Sequence, residues 1–178
     1  MSADSPLSSL IAATAQWIIH AYPSGRGALQ RGLAEAQARQ AVTVAAWLRY
    51  PTELDAQLMN LTGPGGSARL DWVTGAEADE GAWDPELHAW RTWVDEVVAS
   101  WAACLLGTPA LVTAALAVLA GSTRAAGETV DFRRLSHPSQ NDRQAAALLR
   151  HPDLLAPVAE LHHAQLKDLL ESGAPSPS

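Results

Sequence analysis

The 178 residues suffice for one core-forming domain, 48% of them are hydrophobic as in globular proteins, and seven tryptophans argue against disorder except at the ends. Twelve Lys and Arg against 19 Asp and Glu give a net charge of −7, so long-range attraction to a polyanion is weak and any anion-binding face is local. The single cysteine, Cys104, excludes a disulfide framework and a multi-cysteine zinc site and fits a reducing cytoplasm. The N-terminus lacks the basic start and continuous apolar core of a signal peptide.

Leu7, Leu10, Ile11, Trp17 and Ile18 recur at helical spacing and predict a first helix stopping near Tyr22-Pro23-Ser24-Gly25. A second helix is expected from about Gly27 to Tyr50, ended by Pro51, with Val42-Thr43-Val44 as a place where it can break. A shorter apolar segment, Leu54 to Leu61, precedes Gly63-Pro64-Gly65-Gly66, the clearest loop in the chain. Residues 67–82 read as irregular and acidic. The next helix has the strongest signature: Asp84 as N-cap, Pro85 at the first position, Glu86 at the positive helix end. Trp83, Leu87, Trp90, Val94, Val97, Trp101 and Cys104 then recur at spacings of three and four, as one apolar stripe. A tryptophan row at this spacing is core rather than a base-stacking platform.

Trp101 to Ala120 carries no charge and has the length of a membrane span, but Gly107-Thr108-Pro109 interrupts it and seven of its 20 residues are alanine. It therefore reads as a buried helical hairpin, with Thr108 as N-cap and Pro109 opening the second arm. Gly121 to Gln140 is polar, apart from the insert Val130-Asp131-Phe132-Arg133-Arg134-Leu135. A helix is expected from about Asn141 to Arg150, and His151-Pro152-Asp153 opens a last helix carrying Leu154, Leu155, Val158, Leu161, Leu166, Leu169 and Leu170. Pro157 is placed in its first turn, and Gly173 is expected to stop it before a disordered tail, residues 173–178. The expected fold is all-α: a bundle of about six helices with long loops and no sheet, as a single domain over 1–172 with 63–82 as a possible division between two lobes.

Candidate chemistry is sparse. His162 and His163 are the only adjacent histidines, and neighbours on a helix point about 100° apart, so they do not share one metal comfortably. A site would need one of them with His20, His88 or His151 and a carboxylate such as Glu160. Gly63, Gly65 and Gly66 lack the strand–loop–helix context and lysine of a phosphate loop. Cys104 sits between alanine and leucine, and no serine lies in a nucleophile motif. No catalytic centre and no cofactor are expected. The arginines are more informative. Residues 73–101 hold seven acids against Arg91 alone, whereas residues 102–150 hold five arginines against three acids. Arg26 with Arg31, Arg143 with Arg150, and Arg133 with Arg134 suit phosphate contacts without base readout; solubilising arginines paired with acids are the plain alternative.

Arg26-Gly27-Ala28-Leu29-Gln30-Arg31-Gly32 resembles the Arg-Ala-x-Leu-Arg-Arg-Gly pattern near the start of the small subunit (CasB) of the type I-E CRISPR Cascade complex. The alanine-rich run Trp101 to Ala120 is similar to that family's helix, loop and short apolar helix. Asp142-Arg143-Gln144 with Leu148-Leu149 beyond it resembles its Glu-Arg-Arg segment, and Leu161-His162-His163 with Leu169-Leu170 its Leu-Arg-Arg helix. The likeness runs loosely from about residue 10 to 171. Gln30 and Gln144 stand where the family has arginines, His162-His163 where it has a basic pair, and its tryptophan-bearing closing segment has no counterpart after Gly173.

The resemblance implies a divergent, non-catalytic, cytoplasmic antiviral-defence subunit that packs beside copies of itself and other subunits of an RNA-guided complex, away from any membrane. Its basic face would steady the guide RNA–DNA heteroduplex and the displaced strand through phosphates while base pairing reads the sequence. Arg26, Arg31, Arg143 and Arg150 are the first candidates for that contact, Arg133 and Arg134 the second. Two rivals stand beside it. One is a DinB-like metal-binding helical bundle using His162 and His163, although the third histidine of that pattern is Ala159. The other is a helical protein-interaction subunit whose acidic stretch Asp84 to Trp101 meets a basic partner.

Overall fold

The computed structural model describes residues 6–76, 88–122 and 130–173. It is all-α: the described residues form ten α-helices and one 3₁₀ turn, with no strand beyond an isolated bridge between Gly65 and Asp95. The excess over the expected six comes from helices at Ser67–Thr74 and Arg133–Ser136, where none was expected, and from the last predicted helix, which the fold divides in two.

Helix α1 (Ser8–Ala21) buries Leu10, Ala13, Thr14, Trp17 and Ile18 at spacings of three and four and stops before Pro23. Helix α2 (Ala28–Arg49) is the central rod and ends before Pro51. Its row Ala34, Ala38, Ala41 and Ala45 is small enough for neighbouring helices to approach closely. It runs through Val42-Thr43-Val44 without the anticipated break, because both valines are buried and the Thr43 hydroxyl bonds back to the Arg39 carbonyl at 2.7 Å. Helix α3 (Glu53–Thr62) starts on a reciprocal capping box between Thr52 and Asp55.

Residues 67–74, expected to be irregular, form helix α4 (Ser67–Thr74). Gly66 and Gly75, both at positive φ, flank it, and fully buried Leu70 anchors it. Trp17 Nε1 donates to Asp71 at 2.9 Å, tying α4 to α1.

The Asp84–Pro85–Glu86 helix start lies outside the described residues. Beyond it the expected helix needs correction, since no continuous helix runs to Cys104. A 3₁₀ turn (Ala89–Trp93) leads to an extended Val94, and Asp95 then caps a new helix, α5 (Glu96–Gly107), accepting from Val97 N and Val98 N at 2.8 and 3.1 Å. The apolar stripe survives the break because Val94 and Trp101 stay buried on either side of it. All residues from Val98 to Leu106 are buried, so α5 is the second central rod.

Thr108 joins α5 to α6 (Pro109–Ala120), which opens on proline as expected and buries Val112, Ala115 and Leu119. Thr108 occupies the cap position, but its side chain makes no capping hydrogen bond. Among the described residues no helix is long and apolar enough to cross a membrane. The insert forms a four-residue helix, α7 (Arg133–Ser136), and α8 (Gln140–Ala145) begins on a capping box between Ser139 and Asp142. The helix expected to reach Arg150 ends at Ala145, where Ala146 departs to φ −114°, and hydrogen-bonded turns complete the segment.

The predicted last helix is likewise two pieces, α9 (Pro152–Ala159) and α10 (His163–Gly173). Pro157 lies in the second turn of α9, not the first, on its solvent side. The break after Ala159 is supplied with partners by α5: Ser100 Oγ donates to Ala159 O at 2.9 Å and accepts from His162 N at 3.0 Å, and Trp101 Nε1 donates to His162 O at 3.1 Å. One buried apolar cluster runs from Leu7 to Leu170.

Candidate nucleic-acid interface

The expected arginines fall on two regions. Arg26 lies in the turn before α2 and Arg31 in its first turns; both are exposed and neither guanidinium has a protein acceptor among the described residues. The other four gather around α7 and α8.

That second region is held by the polar face of α2. Gln40 Nε2 donates to Asp131 O at 2.7 Å while its Oε1 accepts from Leu135 N at 2.9 Å, so one side chain fixes both ends of the 131–135 segment. Phe132 packs edge-on against Trp47 with ring centroids 5.7 Å apart. Gln37, fully buried, donates to Asp142 O at 2.8 Å and accepts from Arg150 Nε at 2.6 Å. Arg150 Nη2 donates to Arg134 O at 2.9 Å. Arg134 Nη1 in turn donates to Asp142 Oδ1 at 2.7 Å. Asp142 closes the circuit by accepting from Ser139 N and Oγ at 2.9 and 2.7 Å. Such a network is sound only because each member is satisfied.

This packing sets the charge states. Burial alone would raise the Asp142 carboxyl, but the Ser139 hydrogen bonds and then Arg134 outweigh it and hold the group below its ordinary value. Burial lowers the Arg150 guanidinium, Asp142 opposes that, and neighbouring Arg143 adds to it. Arg150 nevertheless stays charged, as guanidinium groups in proteins do.

The six candidates therefore divide by role. Arg150 and Arg134 are engaged by protein acceptors, Arg150 through three of its donors' hydrogen bonds and Arg134 through Asp142 with its side chain 45% exposed. Arg133 and Arg143 are exposed, with no acceptor for either guanidinium among the described residues. They stand on opposite sides of the Ser136–Pro138 turn. Arg133 lines a hollow of about 560 Å³ with Phe132 and His137, and Arg143 lines one of about 520 Å³ with His137, Pro138 and Arg150. Exposed His137 borders both. The sequence alone did not single out Gln37 and Gln40, whose distant partners lie 91 to 113 positions away and leave no local signal, whereas Asp142 is bonded locally, to Ser139 three positions before it and to Arg134 eight before it.

His162 and His163 do not converge. His162 Nε2 meets Glu96 Oε1 at 2.7 Å, while His163 is exposed beside Glu160 at a small hollow over Cys104. Among the described residues no group of three or more His, Cys, Asp or Glu side chains could hold a metal ion.

Fold and site together define an all-α protein with a small cationic surface braced by a buried glutamine–arginine–aspartate network. No family model, no curated protein and no solved structure matches the chain.

Proposed function

We propose that the chain is a non-catalytic subunit of a CRISPR Cascade-like surveillance complex, steadying the guide RNA–DNA heteroduplex and the displaced strand by phosphate contacts. The observation that carries this reading is the pair Arg133 and Arg143, two solvent-facing guanidinium groups without protein acceptors among the described residues, flanking one turn on a rigidly braced scaffold. The order of segments that resembles the CasB family supports it. Arg26 and Arg31 at the start of α2 supply a second pair of phosphate contacts, and Arg134 and Arg150 hold the surface in shape. Contacts of this kind position a backbone and read no bases, which suits a subunit of a complex whose guide reads the sequence. The chain's acidity leaves affinity to local charge, and binding is strongest when other subunits present the strand.

The test is the salt dependence of binding to a 20-nucleotide single strand and to an RNA–DNA heteroduplex. Each true phosphate contact contributes about 0.7 to 0.9 to the slope of log affinity against log salt. An Arg133→Ala/Arg143→Ala variant loses about 1.4 to 1.8 from that slope with Tm unchanged, and Arg31→Ala removes a further single increment. Equal binding by the double variant removes the nucleic-acid reading. Co-purification of the tagged chain with an RNA-bearing multi-protein assembly supports the Cascade assignment.

A further inference from the structure

Arg143 and Arg150 line one hollow of about 520 Å³, and among the described residues no carboxylate lines it. Every acceptor that Arg150 meets is a neutral oxygen: Gln37 Oε1 at 2.6 Å, Arg134 O at 2.9 Å and Leu106 O at 3.5 Å. Asp142 is bonded to Arg134 instead, at 2.7 Å. Hydrogen bonding thus orients Arg150 but gives its charge no counter-ion in contact among the described residues. Beside burial, and against the opposing Asp142, Arg143 acts further to disfavour the Arg150 charge. Two like charges on one wall, the first of them partly buried, repel each other until an anion lies between them.

The guanidinium of Arg150 has five N–H donors, so its three protein bonds leave two. His137 Nδ1 meets Ser136 Oγ at 3.0 Å, which leaves Nε2 as the ring nitrogen for a ligand. Helix α6 begins at this wall with Pro109, and Thr108 gives that helix end no side-chain cap, so its positive end adds to the same field. The other part of the lining is apolar, from Leu106, Pro109, Pro138 and Ala147. An apolar lining with a few charged groups, in a volume between about 300 and 1,000 Å³, is the usual makeup of a small-molecule site.

We propose that this hollow binds a nucleoside 5′-monophosphate group, with the phosphate between Arg143 and Arg150 and the base against the apolar wall. A phosphate monoester carries about −1.5 to −2 at pH 7 and so matches two guanidinium groups, whereas each phosphodiester of a strand carries a single charge. Inorganic phosphate would use the cations but leave the apolar wall unused. A free nucleotide and the phosphorylated 5′ end of a strand share this chemistry. The site goes beyond the strand-positioning reading and stands without it, since a free nucleotide needs no strand.

Calorimetric titration of the full chain with adenosine 5′-monophosphate tests the site, with adenosine and inorganic phosphate as partial probes. The expected result is that the nucleotide binds at least tenfold more tightly than either. Its affinity falls at least tenfold in Arg143→Ala and in Ala147→Phe, which fills the hollow and keeps both guanidinium groups. It is unchanged in Lys167→Ala, which removes one exposed charge from α10. Positions 143 and 147 are exposed, so Tm is the same and a loss of binding is not a loss of fold. Equal affinity in either site variant, phosphate binding as tightly as the nucleotide, or no saturable nucleotide binding overturns the proposal. Short single strands with and without a 5′-phosphate separate the two sources. A 5′-phosphate that tightens strand binding in the wild type but not in Ala147→Phe assigns the site to strand ends, and equal binding of the two strands assigns it to the free nucleotide. Ala147→Phe leaves the salt slope of the unphosphorylated strand unchanged, so this site and the strand-positioning reading fail separately.

Discussion

Gln37 on α2 and Arg150 at the end of the α8 segment meet inside the protein: the amide oxygen of one accepts the Nε–H of the other at 2.6 Å. This bond joins residues 113 positions apart, and Arg150 continues from it to the carbonyls of Arg134 and Leu106. Removing the guanidinium strands the buried Gln37 oxygen, because a buried acceptor left without its donor bears the full desolvation penalty. Arg150→Ala is therefore expected to lose about 2–3 kcal/mol of stability. Arg143→Ala, at an exposed side chain without a protein acceptor among the described residues, changes it by less than about 0.5 kcal/mol. Urea unfolding of the two variants side by side measures the contrast. A loss for Arg150→Ala as small as that expected for Arg143→Ala would mean that Arg150 braces nothing.

The Asp142 carboxyl is held below its ordinary value in the folded chain, so between the two values the unfolded chain binds more protons. Its contribution is fully present above the unfolded value, near about 4, and is lost as the pH falls through the lower folded value. Asp142→Asn keeps the side chain's size but removes the charge facing Arg134 and one acceptor of the Ser139 cap. At pH 7 it is expected to cost about 1–2 kcal/mol, the range of a lost N-terminal cap. Below pH 4 the gap between the variant and wild type narrows. Urea midpoints at pH 3, 4, 5 and 7 track this directly, and a gap that stays constant across them would show that the charge on Asp142 contributes nothing.

Helix ends set by local chemistry were legible in the sequence. Pro51 closes α2, Thr108-Pro109 divides the apolar run into a hairpin, and Pro152 opens α9. Asp95 shows the opposite case. Its capping of α5 has a local signature, an acid pair before an apolar run, but the tryptophan and valine stripe keeps helical spacing straight across the break and hides it. The break after Ala159 has no local signature, since it depends on a serine in α5 59 positions away. The candidate site divides in the same way. Exposed Arg133 and Arg143 were found from residue type and position, whereas the engagement of Arg150 depends on acceptors in α2 and α5 that only the packed fold brings to it.

Ser100 offers a direct test of that second kind of helix end. Its hydroxyl satisfies two backbone groups at once, donating to Ala159 O and accepting from His162 N. Ser100→Ala leaves both underbonded beside a fully buried position. The expected cost is about 1–3 kcal/mol. The local readout is amide exchange, which quickens at His162 more than at Leu166, where the donor still meets His162 O inside the chain. Uniform quickening along α10 would mean that the α9–α10 junction does not depend on the hydroxyl.

Cys104 reports on opening of the same junction. Its thiol is buried among α5, α6 and α9, points at Ala159 O at 3.4 Å, and is pushed up to about 11 by burial. At neutral pH almost none of it is thiolate, and the thiolate is the reactive form. Modification by an aromatic disulfide reagent at pH 7.5 is therefore expected to wait on opening of the structure, with a rate that rises with denaturant well before global unfolding if α9 lifts first. The Ser100→Ala variant, with one fewer tie between α5 and Ala159, reacts several-fold faster at zero denaturant. A wild-type thiol reacting as fast as free cysteine would place Cys104 at the surface and contradict the packing of α9 on α5.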